Sequence, residues 1–263
     1  MNKANLKKNM IKKELNFNFT SKNFVLTGAG KGIGFATLNK LYEANANVAI
    51  ITRSRLDINK ISKKFSSKKI LSFCGDVSIE KDRKNFFEYV KKKMIKIDGL
   101  INNAGVRQRK KFDTISESDL DYIYDNNLKS IFFLTQDFLK IIKKNTGSII
   151  NISSIVGPNG FKDLSGYALS KSGLIGLTKS LAIELSNKKI RVNSISPGFV
   201  KSSYAEKFKK NLPDLYKFTI SKTPLKRWGK CDEVADLILF LLSNNSLYIT
   251  GNNIFIDGGW SAT

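Results

Sequence analysis

The sequence predicts a single α/β domain, with a doubly wound parallel sheet of about seven strands and helices on both faces. Three observations predict it. A glycine-rich turn lies between two short apolar runs near the start of the chain. Apolar runs of strand length then alternate with helix-like segments almost to the C-terminus, the pattern of parallel strands joined by helical crossovers. The 263 residues show no internal change of composition, and that length is ample for one large buried core.

Taken in order, residues 1–20 form a lysine-rich extension without glycine or proline. It has no apolar stretch of signal-peptide length and lacks arginine and serine, which weakens a transit-peptide reading. The domain is expected over 21–263. Its first strand is Asn23 to Leu26, followed by Thr27-Gly28-Ala29-Gly30-Lys31-Gly32-Ile33-Gly34 and a helical run through Leu41. Asn47 to Ile51 is the second strand. Strand, glycine turn, helix, strand is the unit that binds a dinucleotide. Its glycines permit a tight turn and close backbone approach, and the helix start offers free N–H groups to a pyrophosphate. An isolated glycine cluster would be an ordinary turn; the flanking strands raise it above that.

Thr52-Arg53-Ser54 ends the second strand with no acidic residue to hold a ribose 2′-hydroxyl. Arg53, with Lys31 in the glycine turn, instead suits a 2′-phosphate, so NADP(H) is the expected cofactor. Ile70 to Cys74 is the third strand. Asp76 and Val77 lie at its carboxyl end, where Asp76 is placed to accept from an adenine amino group or to cap a helix. A helix over about 79–94 leads to the strand Gly99 to Ile101. Asn103, Ala104 and Gly105 follow it, small enough for backbone to lie close to the cofactor. A helical segment over 117–124 leads to Asn127 and an apolar helix to about Lys143.

Ser148 to Ile152 reads as a buried strand ending at Ser153-Ser154. A helix over about 166–187 then carries Tyr167 and Lys171 on one face, since positions i and i+4 are neighbours. On its own this pair is no more than a tyrosine lying on a lysine stem. Beside a strand-end serine and a dinucleotide turn it becomes chemistry. A phenol loses its proton near pH 10, and an adjacent ammonium is expected to lower that, making Tyr167 an acid/base near neutral pH. Ile190 to Ile195 is the sixth strand, ended by Ser196-Pro197-Gly198. The segment of about 202–228 has weak periodicity and two prolines, and reads as a mobile lid. A helix over about 232–243 and the strand Asn253 to Ile256 close the domain.

Composition excludes several classes. With no histidine, His-based triads and His metal sites are ruled out, and no metal site is expected. Two distant cysteines, Cys74 and Cys231, make neither a disulfide framework nor a zinc pattern. No apolar run reaches membrane-spanning length. The formal net charge of +23 raises a polyanion or nucleic-acid binder. The lysines are scattered without a nucleic-acid signature, so a general surface bias is preferred.

Taken together, Thr27-Gly28-x-x-x-Gly32-x-Gly34, Asn102-Asn103-Ala104-Gly105, Asn127, Ser154, Tyr167-x-x-x-Lys171 and Pro197-Gly198 resemble the short-chain dehydrogenase/reductase family, a Rossmann fold, from about Phe24 to the C-terminus. The resemblance implies that Tyr167 is the catalytic acid/base, that Ser154 orients a substrate carbonyl, and that Lys171 lowers the tyrosine pKa and holds the nicotinamide ribose. It implies that Asn127 holds a proton-relay water. It further places Pro197, Gly198, Val200 and Ser202 beside the cofactor, where Ser202 stands for the family's usual threonine. Pro224 to Gly229 and the ending Asp257-Gly258-Gly259 look most like the 3-oxoacyl-(acyl-carrier-protein) reductases. That branch implies docking of the acidic carrier protein by basic residues, Lys188 and a position near Asn145 beside Lys143 and Lys144. A sugar, polyol or small-ketone dehydrogenase shares every motif, and a non-catalytic NADP sensor or polyanion binder is the alternative of another class. Relatives imply a cytoplasmic homotetramer formed through the two long helices, with Leu174, Leu177 and Leu181 as candidate faces.

Overall fold

The computed structural model describes residues 17–142 and 146–263, without the side chains of residues 203 and 204. Most of the lysine-rich extension, and Lys143, Lys144 and Asn145, lie outside the described residues. Seven parallel strands form one sheet in the order β3-β2-β1-β4-β5-β6-β9. They are β1 (Asn23–Thr27), β2 (Asn47–Thr52), β3 (Ile70–Cys74), β4 (Gly99–Asn102), β5 (Gly147–Ile152), β6 (Ile190–Pro197) and β9 (Asn253–Ile256). The order reverses between β1 and β4, which opens a crevice at their carboxyl ends.

Each central strand is buried on both faces, and successive side chains enter opposite cores. Phe24, Leu26, Ile50, Ile101 and Ile150 enter one core, together with Leu38 and Leu41 of α1 (Gly32–Glu43), Ile61 of α2 (Arg55–Lys64) and Ile238 of α9 (Cys231–Leu242). Val25, Ile51, Leu100 and Ile149 enter the other. There they meet Phe86 and Val90 of α3 (Glu80–Lys93), Leu134 and Phe138 of α5 (Ser130–Ile141), and Ala182 of α6 (Ser165–Glu184). Phe19, ahead of the first strand, is buried, meets Phe24 edge-on, and donates its N–H to Ala44. The core therefore reaches back into the end of the extension.

Helix α2 has no counterpart in the expectations above. Only Ile61 of its ten residues is buried, so it lacks an apolar stripe; the Ser54 hydroxyl caps it by accepting from Asp57 N. The 202–228 segment also differs from a loop. It holds α7 (Ser203–Asn211) and α8 (Pro213–Lys222), with Pro213 at the first helical position, where its missing N–H costs nothing. A short parallel ribbon flanks them, β7 (Val200–Lys201) on β8 (Gly229–Lys230). Between α4 (Glu117–Tyr124) and α5 the chain makes a π turn over Asp125–Lys129 that holds Asn127.

Candidate active site

The cofactor crevice is built from backbone. Gly28 and Gly32 have φ of +70° and +59°, which glycine adopts without cost. A side chain on Gly34 would overlap the Gly28 carbonyl oxygen and the Asn103 amide, so helix α1 must pack directly on the turn. The start of α1 has no side-chain cap. Its N–H groups are thus available to an anion. A Cβ on Gly32 would meet only the Cβ of Ser202, at 3.7 Å, so the turn lies beside that residue. This cradle fits a dinucleotide.

Asn103 and Thr27 fasten the turn. Thr27 Oγ1 accepts from the backbone N–H groups of Asn103 and Ala104, and Asn103 Nδ2 donates to the carbonyls of Thr27 and Gly28. The Asn103 amide is therefore spent on holding β1 to β4. Pro197 and Gly198 continue β6, where Gly198 donates to Ile256 and packs on Asp257. Ile33 and Val200 pack half-buried against the core, and Val77 is buried in the opposite one. Lys31 is exposed. Arg53 is half exposed; it hydrogen-bonds Tyr122 and lies 3.5 Å from Asp76 Oδ2. Asp76 Oδ1 accepts from the backbone and hydroxyl of Ser78, so this acid also shapes its own turn.

Past the crevice, β5 ends beside α6. Ser153 donates to the Lys171 carbonyl and Ser172 to the Gly157 carbonyl, which seats the helix on the strand end. Ser154 lies close enough to Tyr167 to favour its phenolate, and Val156 N donates to Ser154 Oγ. Lys171 is 4% exposed, and its ammonium donates to the Ile152 carbonyl at 2.8 Å. It lies 5.7 Å from the centre of the Tyr167 ring. Asn127 is fully buried. Its Oδ1 accepts from Val106 N, and its Nδ2 donates to the Val106 carbonyl and Ser170 Oγ. A Cβ on Gly105 would sit 3.0 Å from Asn127 Oδ1 and 3.6 Å from Lys171 Nζ. The structure thus brings Asn127, Ser154, Tyr167 and Lys171 around one glycine-floored space.

One expectation is corrected. Lys171 does not draw down the Tyr167 pKa here. Burial pushes the phenol above its ordinary value, while the Arg107 charge and the Ser154 hydrogen bond pull the other way. Burial also drops the Lys171 ammonium to about 8. Desolvation is the leading cause of both shifts.

Arg107 carries a signal the sequence reading missed. It belongs to a strap, residues 106–110, that is tied down at intervals. Asn127 holds Val106, Asp119 accepts from Gln108 and Lys110, and Arg109 donates to the Lys162 carbonyl. Lys110 N donates to the Asp163 carbonyl. Run-on basic residues after Gly105 are the only trace of this in the sequence.

An aromatic wall closes the far side. Phe161 stacks on Trp260 at 5.8 Å, and Phe199 meets both rings. Tyr167 packs against the same group. Behind it Trp228 is 3% exposed, ringed by Phe199, Phe208 and Tyr216, and donates to Thr219 Oγ1 at 2.8 Å. Arg227 clasps Glu233 of α9 with both guanidinium arms. A cavity of about 110 Å³ between Val200, Arg227 and Ile256 lies behind this wall and does not reach Tyr167 or Ser154.

Known proteins resemble this chain over most of its length. The family model described as enoyl-(acyl carrier protein) reductase matches residues 28–261. A 3-oxoacyl-(acyl-carrier-protein) reductase of Thermotoga maritima is 38% identical over 239 residues, covering 89% of this chain and 96% of that one. A solved glucose/ribitol dehydrogenase of Brucella melitensis superposes with a TM-score of 0.88 at 29% identity, covering 93% of this chain and 98% of that one. A putative gluconate dehydrogenase of Agrobacterium tumefaciens gives 0.89 at 27%, covering 94% and 99%.

Proposed function

The chain belongs to the short-chain dehydrogenase/reductase family, and from that premise we propose that it uses NADPH to reduce the 3-oxo group of an acyl thioester carried on acyl carrier protein. It is an NAD(P)-dependent oxidoreductase acting on CH–OH groups and their ketones. One observation carries the catalytic reading: Ser154 and Tyr167 lie together beside the buried Lys171, whose ammonium donates to the Ile152 carbonyl at the end of β5. The 38% identity to a 3-oxoacyl-(acyl-carrier-protein) reductase supports the substrate.

NADPH, when bound, supplies the hydride. The glycine turn and the start of α1 take the pyrophosphate, Ser202 faces them, and Arg53 with Lys31 takes the 2′-phosphate. Asp76 and Val77 line the adenine end; Ala104, Gly105, Pro197 and Gly198 leave room along the crevice. Ser154 and Tyr167 hold the carbonyl oxygen, and the Tyr167 phenol delivers the proton as the oxygen gains charge. Lys171 is assigned to the nicotinamide ribose. Asn127 acts as a positioning residue, because its amide is occupied in fixing Val106. The carrier would dock on exposed Lys188 and its neighbours. The Leu174 and Leu181 side chains face the core instead of a partner, while Phe132, Phe133, Leu169 and Ile183 of the two long helices are exposed. They are the faces through which a cytoplasmic homotetramer would form. No helix among the described residues is long and apolar enough to cross a membrane.

The aromatic wall and the sugar dehydrogenases among the structural relatives favour a second reading, a compact polyol ketone. A panel decides between them: acetoacetyl thioesters of carrier protein and of coenzyme A against sugar ketones, each with NADPH and NADH. Highest kcat/KM on the carrier thioester with NADPH supports the first reading. A sugar ketone in that place overturns it. Tyr167→Phe should lose about a thousandfold in kcat or more while still binding NADPH, read by cofactor fluorescence. Near-normal turnover would end the catalytic assignment.

A further inference from the structure

We infer that Asp57 is a specificity-determining residue of the cofactor site: its carboxylate accepts from a hydroxyl of the adenosine ribose and keeps NADH usable beside NADPH. The inference rests on the cofactor assignment above and adds to it a residue that works against the 2′-phosphate.

The strand end Thr52-Arg53-Ser54 carries no acid, and the fold returns one to it from helix α2. Ser54 Oγ accepts from Asp57 N at 3.1 Å, which fixes the backbone of Asp57 in the first turn of that helix. The Asp57 side chain then reaches across to the glycine turn. A Cβ built on Gly30 would lie 2.1 Å from Asp57 Oδ2 and 2.8 Å from Asp57 Cβ. Gly30, unlike Gly28 and Gly32, has no positive φ. Its missing side chain is therefore a matter of space, and this carboxylate occupies the space.

That position matters to a dinucleotide. The glycine turn takes the pyrophosphate, and the end of β2 takes the ribose 2′ position. The adenosine ribose joins the two, and Asp57 joins the same two elements of the protein. An ionised carboxylate only accepts. Among the described residues the Asp57 oxygens receive no hydrogen bond and no ion pair, although the residue is half-buried. Asp76, the other acid of the site, has Ser78 and Arg53 instead. A half-buried acceptor without donors gains from new ones, and ribose hydroxyls supply them. A 2′-phosphate brings negative charge to the same place and is repelled. Arg53 and Lys31 offset that repulsion for NADPH, whereas NADH needs no offset. As an acid in a first turn, Asp57 also suits the α2 dipole. That role is blind to which nucleotide is bound, so nucleotides of two kinds separate the two roles.

The full chain is titrated by calorimetry with ADP-ribose and with 2′-phospho-ADP-ribose, which lack the nicotinamide and need no turnover. The wild type should bind both, the phosphorylated one more tightly. Asp57→Asn keeps the shape and removes the charge. It should bind ADP-ribose more weakly and 2′-phospho-ADP-ribose at least as tightly, raising the preference for phosphate at least about fivefold. Gly30→Ala, whose methyl group displaces the carboxylate, should move the preference the same way. An unchanged ratio in Asp57→Asn, with both nucleotides weakened equally or not at all, overturns the inference and leaves the NADP(H) assignment standing. Failure of ADP-ribose to bind the wild type also overturns it. If neither nucleotide binds the wild type, the cofactor reading falls and this inference with it.

Discussion

The two sides of the site are built from different materials. The crevice side, from the glycine turn through β4 and β5 to α6, is fixed by polar groups with specified partners: Thr27, Asn103, Asn127, Ser153 and Lys171 each bond particular backbone atoms. The cap side, 199–228 with Trp260, is fixed chiefly by ring packing around Trp228, helped by the β7–β8 ribbon and the clasp of Arg227 on Glu233. Polar partners demand one geometry, because a buried group left unpaired costs its full desolvation. Ring packing tolerates adjustment as long as volume is filled. On the proposed assignment the chemistry falls on the rigid side, with the cap as the adaptable wall beside it.

The largest effect should come from breaking the rigid side at its tightest point. Gly34→Ala puts a methyl group into the Gly28 carbonyl and the Asn103 amide. Neither can retreat without undoing the β1–β4 bonds. A loss of about 3 kcal/mol or more is expected, with NADPH binding abolished, by urea unfolding and fluorescence titration. Gly160→Ala is the control, since nothing lies within 4 Å of its added Cβ. It should change stability by about 0.5 kcal/mol at most. Equal effects of the two would erase the claimed contrast.

The cap should fail locally. Trp228→Ala removes the ring that Phe199, Phe208 and Tyr216 enclose and takes away the indole donor to Thr219 Oγ1, which keeps only its own bond to the Tyr216 carbonyl. The expected cost is about 3 kcal/mol, confined to a satellite cluster. Limited proteolysis should cut within residues 203–222 at protease levels that spare the wild type. The far-UV melting temperature should move much less. Melting that falls in step with cleavage would show cap and sheet to be one cooperative unit, against the contrast drawn above.

Lys171 sharpens the same comparison, because the rigid side keeps a cation at the expense of stability. Its folded pKa, about 8, lies below the ordinary 10.5. Below pH 8 the folded and unfolded chains both hold the proton, and the burial penalty is complete, about 3 kcal/mol before its hydrogen bond to Ile152 is set against it. Between about 8 and 10.5 the folded lysine gives up its proton while the unfolded one keeps it, so stability rises with pH. Lys171→Met should therefore unfold at no lower urea concentration than the wild type at pH 7 and lose nearly all turnover. The wild type should gain on it between pH 8 and 10. A flat difference across that range would remove the penalty.

Legibility in the sequence divides along the same line. The glycine turn and the Tyr167–Lys171 pair were readable because their partners lie at fixed offsets set by helix and turn geometry. All seven sheet strands were readable from their apolar runs; the central ones are buried on both faces, while the edge strands β3 and β9 are only partly buried. Helix α2 was not, since nine of its ten residues are not buried. The 202–228 segment reads as a mobile lid because few apolar residues stand among its lysines and two prolines flank α8, although Ala205 and Phe208 of α7 keep helical spacing. The direction of the Tyr167 shift was misread for a related reason: neighbouring charges can be counted from spacing, whereas burial depends on the whole fold. The strap over 106–110 became visible only once Asn127 and the 162–163 loop were seen to pin it.

The smallest expected effect tests how far the rigid side governs the cofactor's outer end. Arg53 is half exposed and already shared between Tyr122 and Asp76, the latter at 3.5 Å. A partly solvated ion pair of this kind stabilises little, so Arg53→Ala should leave the melting temperature within about a degree. A 2′-phosphate would compete for the same guanidinium with more charge and better geometry than Asp76 offers. The variant should then bind NADPH about tenfold more weakly, about 1.4 kcal/mol, and NADH with little change, as read by fluorescence titration. The ratio matters more than either value. An equal loss for both cofactors would mean that Arg53 acts through the Asp76 turn instead of touching the phosphate, and selection for NADPH would pass to Lys31.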